Sequence, residues 1–256
     1  MQKKQRLLNK RRYFILTLII LTIVFLAFSF VQFTKEGYRM TVPLRRFDEI
    51  ESDVYIHKDY LGETDEVLEV IEAAKARVAN YFGEIRSRPV IIICDDEKVL
   101  EKLGGDHDTS TVVLFNAYSY ISLSSEYFNT DILAHELTHA EVHARLYKGK
   151  IGTQSIVPIW FDEGIALQNY YRDTYNYEAW LSATDNGSNL IDFDEIDTAA
   201  EFYAGTIEER RYRYIISRHE VETWVEEHEV QQLFDLLEAV NRGNDFNQMY
   251  FTFESM

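Results

Sequence analysis

Between Tyr13 and Val31 the chain carries 19 consecutive residues without a charge, most of them Ile, Leu, Phe and Val. As a helix this run reaches about 28 Å, close to the hydrocarbon thickness of a bilayer. It therefore reads as a membrane-spanning signal anchor. Lys3, Lys4, Arg6, Lys10, Arg11 and Arg12 precede it with no acid among them, and Glu36 follows it. By the positive-inside rule this puts the N-terminus in the cytoplasm and the body outside, as a single-pass protein of the cell membrane with a periplasmic or extracellular domain. A cleaved signal peptide is the alternative, since Ala27-Phe28-Ser29 loosely fits a small-x-small site, but the apolar run is longer than a usual signal core. Both readings export the body.

At 256 residues, 46% hydrophobic and 14% aromatic, the chain can bury a sizeable core. The net charge of −17 understates the acidity of the body: beyond the first twelve residues, 20 basic residues face 43 acidic ones. Such a surface repels nucleic acid, which is excluded as a partner. One cysteine, Cys94, rules out an intrachain disulfide and any Cys-rich zinc knuckle. It closes the apolar run Val90-Ile91-Ile92-Ile93-Cys94 and reads as a small buried hydrophobe.

The chain divides into a basic segment (1–12), the anchor (13–31), a juxtamembrane linker (32–50) and a body (51–256), β-rich to about residue 128 and helical after it. Within the body, Asp53 to His57 alternates as a strand does. Val67, Val70, Ile71, Ala74, Val78 and Tyr81 repeat at helical spacing, with Thr64 as a capping residue and Gly83 as a stop. Pro89 to Cys94 reads as a buried strand and Glu97 to Leu103 as a short helix ended by Gly104-Gly105. Thr111 to Phe115 and Tyr118 to Leu123 read as two further strands. After Thr130 helical stripes take over: Leu133, Leu137, Ala140 and Ala144, then Trp160 to Tyr171, then Val221 to Val240 before Gly243. The expected class is α+β, a small mixed sheet with a helix against it followed by a helical half.

The chemistry concentrates in Ala134-His135-Glu136-Leu137-Thr138-His139-Ala140. On a helix, His135 and His139 lie one turn apart and about 40° around the axis, so both imidazoles can reach one metal ion. Glu136 then stands beside the metal, placed to take a proton from water. The apolar stripe and the candidate caps Asn129, Thr130 and Asp131 support the helix independently. Glu163 follows His139 by 24 residues, in Pro158-Ile159-Trp160-Phe161-Asp162-Glu163-Gly164-Ile165-Ala166. Pro158 suits a first helical turn, and Gly164 has no side chain to hold another backbone away. A second helix lying on the first would present Glu163 as an anionic third ligand.

These two segments resemble the gluzincin signature, and more narrowly the exported bacterial proteins called peptidase MA-like, over roughly Pro89 to Gly243. The resemblance implies a thermolysin-like or aminopeptidase-like fold and one zinc ion held by His135, His139 and Glu163. It also implies peptide-bond hydrolysis by a water that the metal activates, with Glu136 as general base. It further implies an oxyanion donor from the helical half; Tyr214, Tyr212 and His219 are candidates, and Tyr214 most resembles the family arrangement. The metzincin pattern is excluded because Arg145 stands where its third histidine would be. His143 reads as a surface or supporting residue. Leu167 occupies the place of thermolysin's orienting aspartate, leaving Asp162 and Asp131 as candidates for that support. The expected partners are a peptide or protein substrate and the membrane, with the oligomeric state open. No G-x-M-E-N segment precedes the histidines, which favours an endopeptidase over an aminopeptidase. The competing function is a catalytically inactive exported binding module.

Overall fold

The computed structural model describes residues 2–105, 109–115, 118–147 and 156–254, without the side chains of 2–11, 109–115, 118, 253 and 254. The apolar run lies in one long helix, α1 (Gln2–Phe33). Its Arg12–Phe33 portion is long and apolar enough to cross a membrane, and none of it is buried against the rest of the chain.

The stretch 32–50 has a structure of its own. Thr34 caps α2 (Lys35–Met40) by accepting from Gly37 N at 3.0 Å. A 3-10 turn follows at Val42–Leu44, and β1 (Phe47–Glu51) already belongs to the sheet. Gly37 is tight against α1: a Cβ there would stand 2.3 Å from the Phe30 carbonyl oxygen. Arg45 Nη2 donates to Val31 O at 2.9 Å. Regular structure therefore resumes directly after α1. Arg39 shows why the sequence did not reveal this, since it is buried by donating to the distant Leu103 carbonyl, a contact with no local periodicity.

β2 (Val54–His57), α3 (Thr64–Phe82) and β3 (Val90–Ile93) form a crossover unit, whose intervening helix lets the two strands run parallel. The residue at the α3 cap is Glu63, with no side-chain cap bond, and Gly83 ends the helix at φ 68°. α4 (Glu97–Leu103) is capped by Asp96, which accepts from Lys98 N and Val99 N at 2.9 and 3.2 Å. β4 (Thr109–Phe115) and β5 (Tyr118–Leu123) close an antiparallel pair. The strand order is β1-β2-β3-β5-β4, with β5 parallel to β3.

Side chains alternate across the pleat, so the sheet serves two cores. Val54, Ile56, Ile91, Ile93, Ile121 and Leu123 face the helical half, with Val67, Ile71 and Val78 of α3 over them. Tyr55, Val90, Ile92, Cys94 and Tyr120 face the other way, onto Val42, Phe47, Leu100 and Leu103.

The helical half comprises α5 (Thr130–Leu146), α6 (Ile159–Ala166), α7 (Tyr177–Ala183), α8 (Ala199–Phe202), α9 (Ile207–Asn241) and α10 (Phe246–Glu254). α9 starts well before the stripe at Val221, from a capping box of Thr206 and Glu209, and breaks at Glu229, where φ is 64° and ψ 153°. The class is α+β with a small mixed sheet. α5 stands at its centre, in contact with α3, β4, β5, α6 and α9.

Candidate metal centre

Asn129 starts α5 by accepting from Asp131 N and Ile132 N, both at 3.1 Å. The helix is buried on nearly every side, through Leu133, Ala134, Leu137, Ala140, Val142, Ala144 and Leu146. Its polar residues are thus drawn into the interior rather than left on a wet face. The four-residue spacing brings the His135 and His139 rings to 4.7 Å between centroids, with their Nε2 atoms 3.1 Å apart.

α6 is short and wholly buried between Trp160 and Ala166. It supplies Glu163, whose Oε2 lies 3.3 Å from His135 Nε2 and 3.4 Å from His139 Nε2. Three donor atoms bound tetrahedrally to one ion at about 2.0–2.1 Å stand about 3.4 Å apart, so this triangle has the right size. Glu163 Oε2 is buried and has no hydrogen bond among the described residues, which is costly for a carboxylate oxygen unless something else coordinates it. His135, His139 and Glu163 are the group that can hold a metal ion among the described residues.

Gly164 has the tight approach expected of it, but to α9 rather than to α5: a Cβ would meet Ser217 O at 2.5 Å. α6 is seated in this way between α5 and α9.

Consecutive residues on a helix point about 100° apart, so Asp162 reaches behind the imidazoles while Glu163 faces them. Asp162 Oδ2 lies 3.2 Å from His139 Nδ1 and 3.1 Å from His143 Nε2. Such a carboxylate fixes the ring's tautomer and orientation. His143 is thus a partner of Asp162 and stands outside the ligand group. Asp131, the other candidate, accepts from Arg77 at 2.6 Å, Tyr171 N at 3.2 Å and Arg172 at 3.3 Å, and ties α5 to α3 and to the chain after α6. Tyr203, which the sequence did not single out, donates its hydroxyl to Glu163 Oε1. It follows α8 in a polar stretch without periodicity, so nothing local marks it.

Charge is unevenly held here. Burial alone would raise Asp162 and Glu163, yet the imidazoles, His139 foremost, hold both far below the usual carboxylate range. Burial works against a charged His139, but Asp162 and Glu163 outweigh it and hold its pKa well above the ordinary value. Burial, reinforced by Glu163, pushes the Tyr203 and Tyr214 hydroxyls up, so both stay neutral donors.

The group opens into a cleft of about 920 Å³. Glu136 lines it together with Tyr175, Tyr203 and Tyr214. The other two oxyanion candidates lie elsewhere. Tyr212 donates to Asn189 O at 2.8 Å and accepts from Ile191 N at 3.3 Å, pinning that loop. His219 packs on Trp180 with ring centroids 4.0 Å apart. β4 is an outer strand of the sheet and contacts α5.

Comparison of the chain with family models, curated proteins and solved structures returns no match.

Proposed function

We propose that this protein is a membrane-anchored zinc metallopeptidase of the gluzincin type, similar to the peptidase MA-like proteins. The observation that carries this reading is the triangle of His135 Nε2, His139 Nε2 and Glu163 Oε2, with Glu136 on the same cleft wall. Two imidazoles and one carboxylate are a donor set that would suit catalytic zinc, and all three residues line the cleft. The order of sheet, histidine helix, acid-bearing helix and long C-terminal helix supports a thermolysin-like or aminopeptidase-like catalytic fold. Zinc, when bound, supplies Lewis acidity that polarises the scissile carbonyl and acidifies water.

The chain's own residues do the rest. Glu136 accepts the proton of the attacking water and delivers it to the leaving amine. Tyr214 donates a hydrogen bond to the carbonyl oxygen as negative charge builds there. Asp162 and Tyr203 hold His139 and Glu163 in position. β4, an outer strand beside α5, suits an extended peptide aligned by main-chain hydrogen bonds, which favours an endopeptidase. α1 is the anchor, with the catalytic body outside the cell membrane.

The test is zinc content and peptide-library hydrolysis of the full chain in detergent, beside Glu136→Gln and His139→Ala. The expected outcome is near-stoichiometric zinc in wild type and Glu136→Gln, none in His139→Ala, and hydrolysis in wild type alone. A folded protein that takes up no zinc overturns the reading. One that binds zinc and cleaves nothing leaves an exported binding module.

A further inference from the structure

The first turns of α9 carry four arginines with two kinds of employment. Arg213 donates to Phe202 O at 3.0 Å and Ala204 O at 2.6 Å, and Arg218 to Tyr170 O at 3.0 Å, so both fasten backbone. Arg210 and Arg211 are exposed, and neither guanidinium makes an ion pair or side-chain hydrogen bond with a described residue. In a chain with 43 acidic residues against 26 basic ones, two adjacent arginines left without a carboxylate are unexpected.

Both are turned toward the metal cleft. Ile207, Arg210, Arg211 and Tyr214 all line it, and their spacing of i, i+3, i+4 and i+7 puts them on one helix face. Burial raises the hydroxyl pKa of Tyr175, another lining residue, and Arg211 lies near enough to oppose part of that rise. The positive end of α9 is not itself free to bind an anion, because Thr206 and Glu209 fill it: Glu209 Oε2 accepts from Thr206 N at 2.6 Å and Glu209 N donates to Thr206 Oγ1 at 3.2 Å.

We propose that Arg210 and Arg211 form a carboxylate-recognising subsite, so that the preferred substrate is a peptide bearing an acidic side chain or its free C-terminus close to the scissile bond. This deepens the peptidase reading and rests on it. A guanidinium presents a planar fork of donors that matches a carboxylate's two oxygens. An acidic protein body otherwise disfavours acidic substrates, so these two residues supply the local attraction the remainder lacks. They are specificity residues, set apart from the ligands and from Glu136.

The experiment uses zinc-loaded full-length Glu136→Gln in detergent and one dye-labelled neutral peptide made in three forms. These are the C-terminal amide, the free acid, and the amide with one glutamate beside the central bond. Fluorescence anisotropy is expected to show the glutamate or free-acid form binding about two- to fivefold tighter than the neutral amide. The preference should fade as salt is raised. The two acidic forms separate an internal acid from a chain end as the source of the carboxylate. Adding Arg210→Ala and Arg211→Ala together is expected to abolish the preference while zinc content stays unchanged. Equal binding of all three forms, binding of none, or a preference that survives the double substitution overturns the proposal. Wild-type hydrolysis of the same peptides separates the two ideas. Cleavage without acidic preference sinks the subsite alone, whereas selective binding without cleavage sinks the peptidase reading and with it the substrate claim, leaving a carboxylate-binding surface.

Discussion

Alanine at position 164 tests how the acid-bearing helix is seated. The added Cβ would stand 2.5 Å from Ser217 O, 2.6 Å from Val221 Cγ2 and 3.1 Å from the Ser217 carbonyl carbon. Ordinary contact begins at 3.4 Å, so α6 and α9 have to part by about 1 Å, and Ser217 O is helical backbone that cannot swing aside. Overpacking of this kind costs about 1–3 kcal/mol. At about 2–4 °C per kcal/mol for a chain of this size, melting falls by about 2–12 °C. Glu163 is the adjacent residue, and ligand positions must hold to about 0.2 Å. Zinc affinity should therefore drop by about 10–100-fold, the range seen when support of a ligand is lost.

Chelator competition and thermal melting of the metal-free and zinc-loaded protein measure both effects. Gly83→Ala is the control: nothing lies within 4 Å of its Cβ, but its φ of 68° and ψ of −101° suit a residue without a side chain, so it should cost about 1–3 kcal/mol of stability and leave zinc affinity alone. If Gly164→Ala binds zinc as wild type does, or Gly83→Ala weakens zinc as much, the seating of α6 on α9 does not place Glu163.

Asp162→Asn should lower zinc affinity by about 10–100-fold while the chain stays folded, because His139 loses its orienting carboxylate; unchanged chelator competition would refute this. Asp131→Asn should cost about 1–3 kcal/mol at pH 7, the value of charge-assisted bonds to Arg77 and Arg172. Burial would raise the Asp131 pKa, but the bonds from Arg77, Tyr171 N and Arg172 together depress it, so this stability is present above the unfolded value of 3.8 and lost as pH falls through the folded one. Urea midpoints of the two proteins should therefore converge below about pH 4, and a constant gap there would contradict the assignment. Cys94 is fully buried and its thiol is pushed up to about 12. At pH 8 only about one molecule in ten thousand carries a thiolate, so iodoacetamide should label unfolded but not native protein, and rapid native labelling would show that the second core opens.

What the sequence made visible is what has a short period or a local cap. The stripe Val67, Ile71, Ala74 and Val78, the run Val90 to Cys94 and the histidine helix behind Asn129 are each buried where their spacing places them. The candidate metal-holding group follows, because one helical turn sets two donors and a second apolar helix brings the third. The rest depends on tertiary contacts. The first half of α9 reads as charged, since Ile215, Ile216 and Ser217 are its only buried residues before Val221, and so the stripe visible in the sequence begins only at Val221. α10 is held by Phe246 and Tyr250 against the rings of Phe161 and Trp224, 4.7 and 5.5 Å away, a packing that no local pattern announces. Gly164 signalled a close approach without identifying the neighbour.

The placement of Asp162 next to Glu163 has a further consequence. Glu136, Asp162 and Glu163 are all buried around the same two histidines, and an uncompensated carboxylate in such surroundings costs several kcal/mol. Neutral imidazoles offer orientation but no charge. A dication held by His135, His139 and Glu163, as proposed, would offset most of this excess at its source, while Asp162 would act through His139 without competing for the ion. Without such a charge, Asp162 and Glu163 raise the His139 pKa well above its ordinary value against the burial that lowers it, so metal uptake at the proposed site would compete with a proton and depend on pH. The same two carboxylates that would strengthen the proposed ligand set would also make it dependent on being filled.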